Sequence, residues 1–178
     1  MNHSSASRVS IVDIKKNIMQ LYRKHAVPYE AQHKQSFCEA PGYDLHLFNN
    51  IMPQEVEPYI KHIAPSLLPN EILIASYGTH PLPILGMGSG VFITRTKIYW
   101  KNMMFPGKRC MALSHVHRFS FEDYEPSGRY DAVVSEEREM HIHYQDLEGE
   151  MRSAAIQGFP EQTADFLNEV LSYLKSLR

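Results

Sequence analysis

The chain has little cysteine. Cys38 and Cys110 are the only two thiols in 178 residues and lie far apart. One pair cannot make the disulfide framework of a small secreted fold. Both are expected as free, buried or half-buried thiols in a reducing compartment. A surplus of charge is also missing, since 18 Lys and Arg against 20 Asp and Glu leave a formal charge of −2. A broad grip on nucleic acid or on anionic lipid needs a basic excess, so no nucleic-acid partner is expected. No stretch approaches the roughly 18 uninterrupted apolar residues of a spanning helix. The longest clean run near the middle, residues 72–75, is of strand length. Residues 1–10 are polar and carry no apolar h-region, so no secretory signal is expected and the cytoplasm is the expected compartment.

What is present is ordinary globular chemistry, with 43% hydrophobic and 21% charged residues. The length suits one domain with an appendage. Ile11, Ile14, Ile18, Leu21 and Tyr22 recur at spacings of three and four and predict a helix over residues 10–25, stopped by Pro28. Residues 26–50 have little periodicity but carry Phe37, Tyr43, Leu45, Leu47 and Phe48, which predicts a packed loop or short strand. Val56, Tyr59, Ile60 and Ile63 predict a second helix over residues 53–63, with Pro53 in its first turn.

Seven strands are expected next, over residues 72–77, 91–94, 97–101, 109–121, 130–135, 140–144 and 151–157. The acidic pairs Glu122-Asp123 and Glu136-Glu137 fall between them and read as solvated turn charges. Gly149 closes a turn after Glu148, where positive φ is cheap. A final helix over residues 160–178 carries Phe166, Leu167, Val170, Leu171, Leu174 and Leu177 on one face.

A meander of short antiparallel strands followed by one amphipathic helix resembles the pleckstrin-homology-like superfold. Residues 90–102, GVFITRTKIYWKN, look like the hairpin of bacterial PH-like and GRAM-like domains, with Gly90, Thr94, Tyr99 and Trp100 in the marked places. The resemblance covers residues 70–178. It implies an α+β fold: a partly open antiparallel β-barrel or sandwich of about seven strands, capped by the C-terminal helix. Residues 1–69 fall outside the resemblance and are expected to form a helical N-terminal extension packed on it. It also implies a scaffold that binds lipid headgroups, peptides or proteins and is rarely an enzyme; fold alone does not say which.

The glycines at 86, 88 and 90 precede a strand, not a helix, and so do not make a nucleotide loop. His115 with His117, and His141 with His143, each share a strand face. Met140, Ile142 and Tyr144 mark the dry side of their strand, which turns His141 and His143 to solvent. The first pair lies in phase with Leu113 and Phe119 on a half-buried face, so the two pairs cannot share a metal. Neither a metal nor any other cofactor is expected. No nucleophile sits in a catalytic context, and no catalytic residue is assigned.

Two uncharged loop tips stand out. Leu82, Ile84, Leu85 and Met87 form one, and Met103, Met104 and Phe105 the other. Loops are normally polar, and apolar tips mark contacts. The leading expectation is a non-enzymatic module that binds another protein, as an adaptor, a regulator or an immunity-type inhibitor. The alternative is a peripheral membrane module holding a lipid headgroup with Trp100, Lys101, Lys108 and Arg109. Three cations at about 1 kcal/mol each make that contact weak and salt-sensitive. A third expectation is a metal-dependent enzyme built on the histidine pairs.

Overall fold

The computed structural model describes residues 9–40, 43–78, 89–102, 109–123, 138–156 and 159–177. The expected strand at 130–135 lies outside them.

Helix α1 (Ile11–His33) starts where the sequence places it. Ser10 is its N-cap: its Oγ accepts from the Asp13 amide at 3.1 Å and donates to the Asp13 carboxylate at 2.7 Å. Its end differs from the expectation, because Pro28 lies inside the helix and the chain stays helical to His33. Proline removes the hydrogen bond to Lys24, but contacts beyond it hold the last turns. The Tyr29 ring stacks on His33 at 4.4 Å and meets the Phe37 edge at 5.6 Å, and Glu30 accepts from the Phe37 amide at 3.0 Å. Lys34, left-handed at φ 58°, ends the helix.

Two antiparallel sheets follow. The first runs β1 (Glu39–Ala40), β2 (Tyr43–Leu47), β3 (Ile72–Gly78), β4 (Gly90–Thr94), β5 (Lys97–Lys101) and β6 (Arg109–Ala112), in that order. The second is β7 (Val116–Asp123), β8 (Arg138–Gln145) and β9 (Met151–Ile156). Helix α2 (Pro53–Ile63) lies between β2 and β3, and α3 (Ala164–Ser176) closes the chain. The fold is thus α+β, with two sheets rather than a closed barrel among the described residues.

The expected long strand over 109–121 is two strands. A 3-10 turn, Leu113–His115, lies between β6 and β7 and carries the chain from one sheet to the other. Buried Leu113 anchors it, and its amide donates to the Thr96 carbonyl at 2.9 Å. In the β4–β5 hairpin, Thr94 Oγ1 accepts from the Lys97 amide at 3.0 Å and donates to the Lys97 carbonyl at 3.1 Å. Gly149 takes φ 85° in the turn before β9, as its position requires.

The first sheet is covered on both faces, and every β3 residue from Ile72 to Tyr77 is buried. On one face, Val56, Tyr59, Ile60 and Ile63 of α2 pack against Ala75, Tyr77 and Phe92. On the other lies the larger core. There Ile14, Ile18 and Ala26 of α1 join Ile74, Ile93, Ile98 and Trp100, together with Phe119, Ile142 and the apolar stripe of α3. Gly90 sits where Ile63 of α2 meets the sheet. A Cβ there would meet the Ser76 carbonyl oxygen at 2.8 Å and Ile63 Cδ1 at 3.1 Å.

Candidate functional site

In the second sheet, Phe119, Met140, Ile142 and Ile156 turn inward. The pleat therefore sends Ser120, Glu122, His141, His143 and Ser153 to the outer face. Ser120 pairs directly with His141, and His143 with Ser153. His143 Nε2 lies 2.7 Å from Ser120 Oγ and 2.9 Å from Glu122 Oε1. His141 Nδ1 lies 3.0 Å from Ser153 Oγ and 3.6 Å from Glu122 Oε2. Ser120 also donates to Glu122 at 2.9 Å. One carboxylate thus joins imidazoles and hydroxyls from all three strands. Desolvation pushes the Glu122 carboxyl up, but the Ser120 hydroxyl and the two imidazoles outweigh it and hold the group below its ordinary range.

His141 and His143 face outward as expected, yet their side chains are only 19% and 16% exposed. The expected pairing of His115 with His117 on one strand face does not form. His115 lies in the 3-10 turn, and His117 falls at the register shift between Val116 and Arg118 and is exposed. The one group of acids and histidines with metal-ligand spacing among the described residues is Asp146, Glu148 and Glu150. Asp146 there already accepts from the Glu148 and Glu150 amides and from Arg152.

The two edges of this sheet are treated differently. On β7, Phe119 points its backbone polar groups away from β8, toward α3. Asn168 meets both: the Phe119 amide donates to Asn168 Oδ1 at 2.8 Å, and Asn168 Nδ2 donates to the Phe119 carbonyl at 2.9 Å. Lys175 Nζ donates to the Val116 carbonyl at 3.0 Å. Helix α3 thereby closes the β7 edge.

On β9, the Asp146 amide donates to the Glu150 carbonyl at 2.9 Å, which fixes the phase of the ladder. Met151, Ser153 and Ala155 then point their N–H and C=O groups away from β8. Asn102 takes the Ala155 carbonyl at 2.8 Å. No described strand takes those of Met151 and Ser153, and both residues are exposed. This stretch has no proline and no bulge, two of the devices that blunt an edge, and its one charge, Arg152, is paired within the chain with Asp146 and Glu150. Beside it, Leu147 is 98% and Met151 56% exposed.

Comparison with protein-family models, curated proteins and solved structures finds no match. The PH-like resemblance therefore rests on the sequence pattern of residues 70–178.

Leu82, Ile84, Leu85, Met87, Met103, Met104 and Phe105, the apolar tips, lie outside the described residues, as does Lys108. Of the other members of the headgroup cluster, two share a sheet face and one does not. Trp100 is 3% exposed and packs in the large core. Arg109 pairs with it across the ladder and is exposed, while Lys101 follows Trp100 and takes the opposite face. Cys110 is exposed rather than buried, because β6 is the outer strand of its sheet. Cys38 is half-buried, with its Sγ 3.3 Å from the Tyr22 hydroxyl, and both thiols are free.

Glu122, Ser153 and Asn168 escaped the sequence reading. Glu122 looked like a loop charge, yet β7 runs through it to Asp123. Its spacing of two from Ser120 was the available signal. Nothing local marks Asn168, because its partner lies 49 residues away in sequence.

Proposed function

We propose that the chain is a non-enzymatic binding module that holds another polypeptide, and that the open edge of β9 is a place where it does so. The observation that carries this is the contrast between the edges. β7 is closed by Asn168 and Lys175, whereas among the described residues no strand pairs with the outer side of β9 at Met151 and Ser153, both of them exposed. An extended segment of a partner can add to such an edge, with main-chain hydrogen bonds giving affinity. The apolar tips around Leu85 and Phe105 supply further contact in this reading.

The test is a pull-down with the tagged chain at native expression, read by mass spectrometry, beside Ser153→Pro. Proline removes an N–H that the ladder with β8 does not use, and Ser153→Ala, which loses only the hydroxyl that meets His141, is the control. The expected result is one stoichiometric partner that survives moderate salt and is lost from Ser153→Pro. Leu85→Asp and Phe105→Asp are expected to weaken the same capture. No captured polypeptide, copies of the chain itself included, or a partner held equally by Ser153→Pro, would overturn the β9 assignment.

A further inference from the structure

The open edge is self-complementary. Two β9 strands placed antiparallel about Arg152 bring Met151 opposite the partner's Ser153, and Ser153 opposite the partner's Met151. Both are then hydrogen-bonded pairs, in which each residue gives its N–H and accepts with its C=O. Every outward group of Met151 and Ser153 is used, and the Ala155 carbonyl stays with Asn102. No other register does both. Moving the axis to Ser153 would set Met151 against the partner's Ala155, whose carbonyl is already taken.

The charges suit this register. It sets Arg152 opposite the partner's Arg152, a pair that would repel if bare. Each guanidinium is already neutralised within its own chain. Nε lies 3.0 Å from Asp146 Oδ2, and Nη2 lies 2.6 Å from Glu150 Oε2. Antiparallel pairing also carries the partner's acidic turn, with the exposed Glu148, toward the end of β5. Asn102 ties that end to β9, and Lys101 precedes it. The exposed Met151 side chain lands beside the partner's Ser153 and shields a strand pair that would otherwise be fully wet.

We infer that the occupant of the β9 edge is a second copy of this chain, paired antiparallel through Met151 and Ser153 about a two-fold axis at Arg152. This rests on the strand-docking reading above and names its partner. Such an interface is isologous and closes at two copies.

The test is sedimentation velocity of the full chain in reducing buffer, which removes any dimer bridged by Cys110. A contact of a few strand residues belongs with small, transient interfaces, so loading spans about 10 μM to about 1 mM. The wild-type chain is expected to shift from one copy to two across that range and Ser153→Pro to stay single, with Met151→Pro as a second edge variant should the first fail to fold. Exchange of the Met151 and Ser153 amides with deuterium is expected to slow at least several-fold in the dimer. A wild-type chain that stays single at the highest loading overturns self-pairing, as does a dimer unchanged in both edge variants. If self-pairing fails but Ser153→Pro still releases a captured partner, strand docking stands with a different occupant. If neither effect appears, both fall.

Discussion

Asn168 does for Phe119 what a neighbouring strand would do. Its side-chain amide accepts from the Phe119 N–H at 2.8 Å and donates to the Phe119 carbonyl at 2.9 Å. A residue of α3 thus completes the ladder of β7 from 49 positions away and removes an edge that would otherwise invite pairing.

Asn168→Ala is expected to leave both Phe119 groups without partners beside a buried ring. A buried donor or acceptor without a partner costs about 1–3 kcal/mol, so urea unfolding should show a clear fall in midpoint. The variant should also aggregate more readily on warming, since β7 becomes a second open edge. An unchanged midpoint would mean that water replaces the amide at no cost.

Gly90→Ala tests the approach of α2 to the sheet. The new Cβ would meet a backbone oxygen, Ser76 O, at 2.8 Å, and backbone cannot move aside as a flexible side chain can. Overpacking of this kind costs about 1–3 kcal/mol, seen as a lower Tm in calorimetry. The far-UV spectrum should be kept.

Ser76→Ala is expected to act in the opposite direction. Ser76 is fully buried beside its ladder neighbours Leu45 and Val91, and among the described residues its Oγ has no hydrogen-bond partner. Removing the hydroxyl lifts a desolvation penalty at the cost of a small void, for a net gain of up to about 1 kcal/mol. A fall in Tm would show that the hydroxyl is satisfied in solution.

Tyr77→Phe extends the same logic to alkaline pH. Among the described residues the buried Tyr77 hydroxyl has no hydrogen-bond partner, and its ring lies between His46, stacked at 4.6 Å, and Tyr59 at 4.7 Å. Burial first, then Glu55, Tyr59 and Asp44, push this phenol up to about 12. The folded state therefore favours the neutral ring. Its contribution is complete below pH 10, the ordinary value, and is lost as pH rises toward 12. Chemical denaturation across pH 9–12 should show a shallower alkaline loss of stability in the variant than in the wild type.

Glu122→Gln tests the carboxylate that joins the three outer strands. Its folded pKa is depressed, so its contribution is present above the ordinary carboxylate range and lost as pH falls through the folded value. The side chain is 42% exposed, so solvent screening holds the effect below about 1 kcal/mol. The stability difference between wild type and variant should narrow as pH drops from about 6 to about 3. A difference that stays constant with pH would point to packing rather than charge.

Local pattern made part of this molecule legible. The leucine stripe of α3, the apolar face of α2 and the β4–β5 hairpin follow from spacing and turn chemistry, which neighbouring residues determine. Gly149 is read the same way, since positive φ at a turn is a local demand. The alternation of Met140, Ile142 and Tyr144 also sent His141 and His143 to the outer face. Tertiary contact decided the rest. α1 continues through Pro28 because Phe37, which packs on Tyr29, holds its last turns. The run over 109–121 breaks at Leu113 because the chain must leave one sheet and enter the other. Glu122 meets the histidines only once register sets β7 beside β8. Asn168 finds Phe119 only once α3 lies along β7. Periodicity says which face of an element is dry. Register and docking between elements distant in sequence say which polar groups meet and which edge stays open.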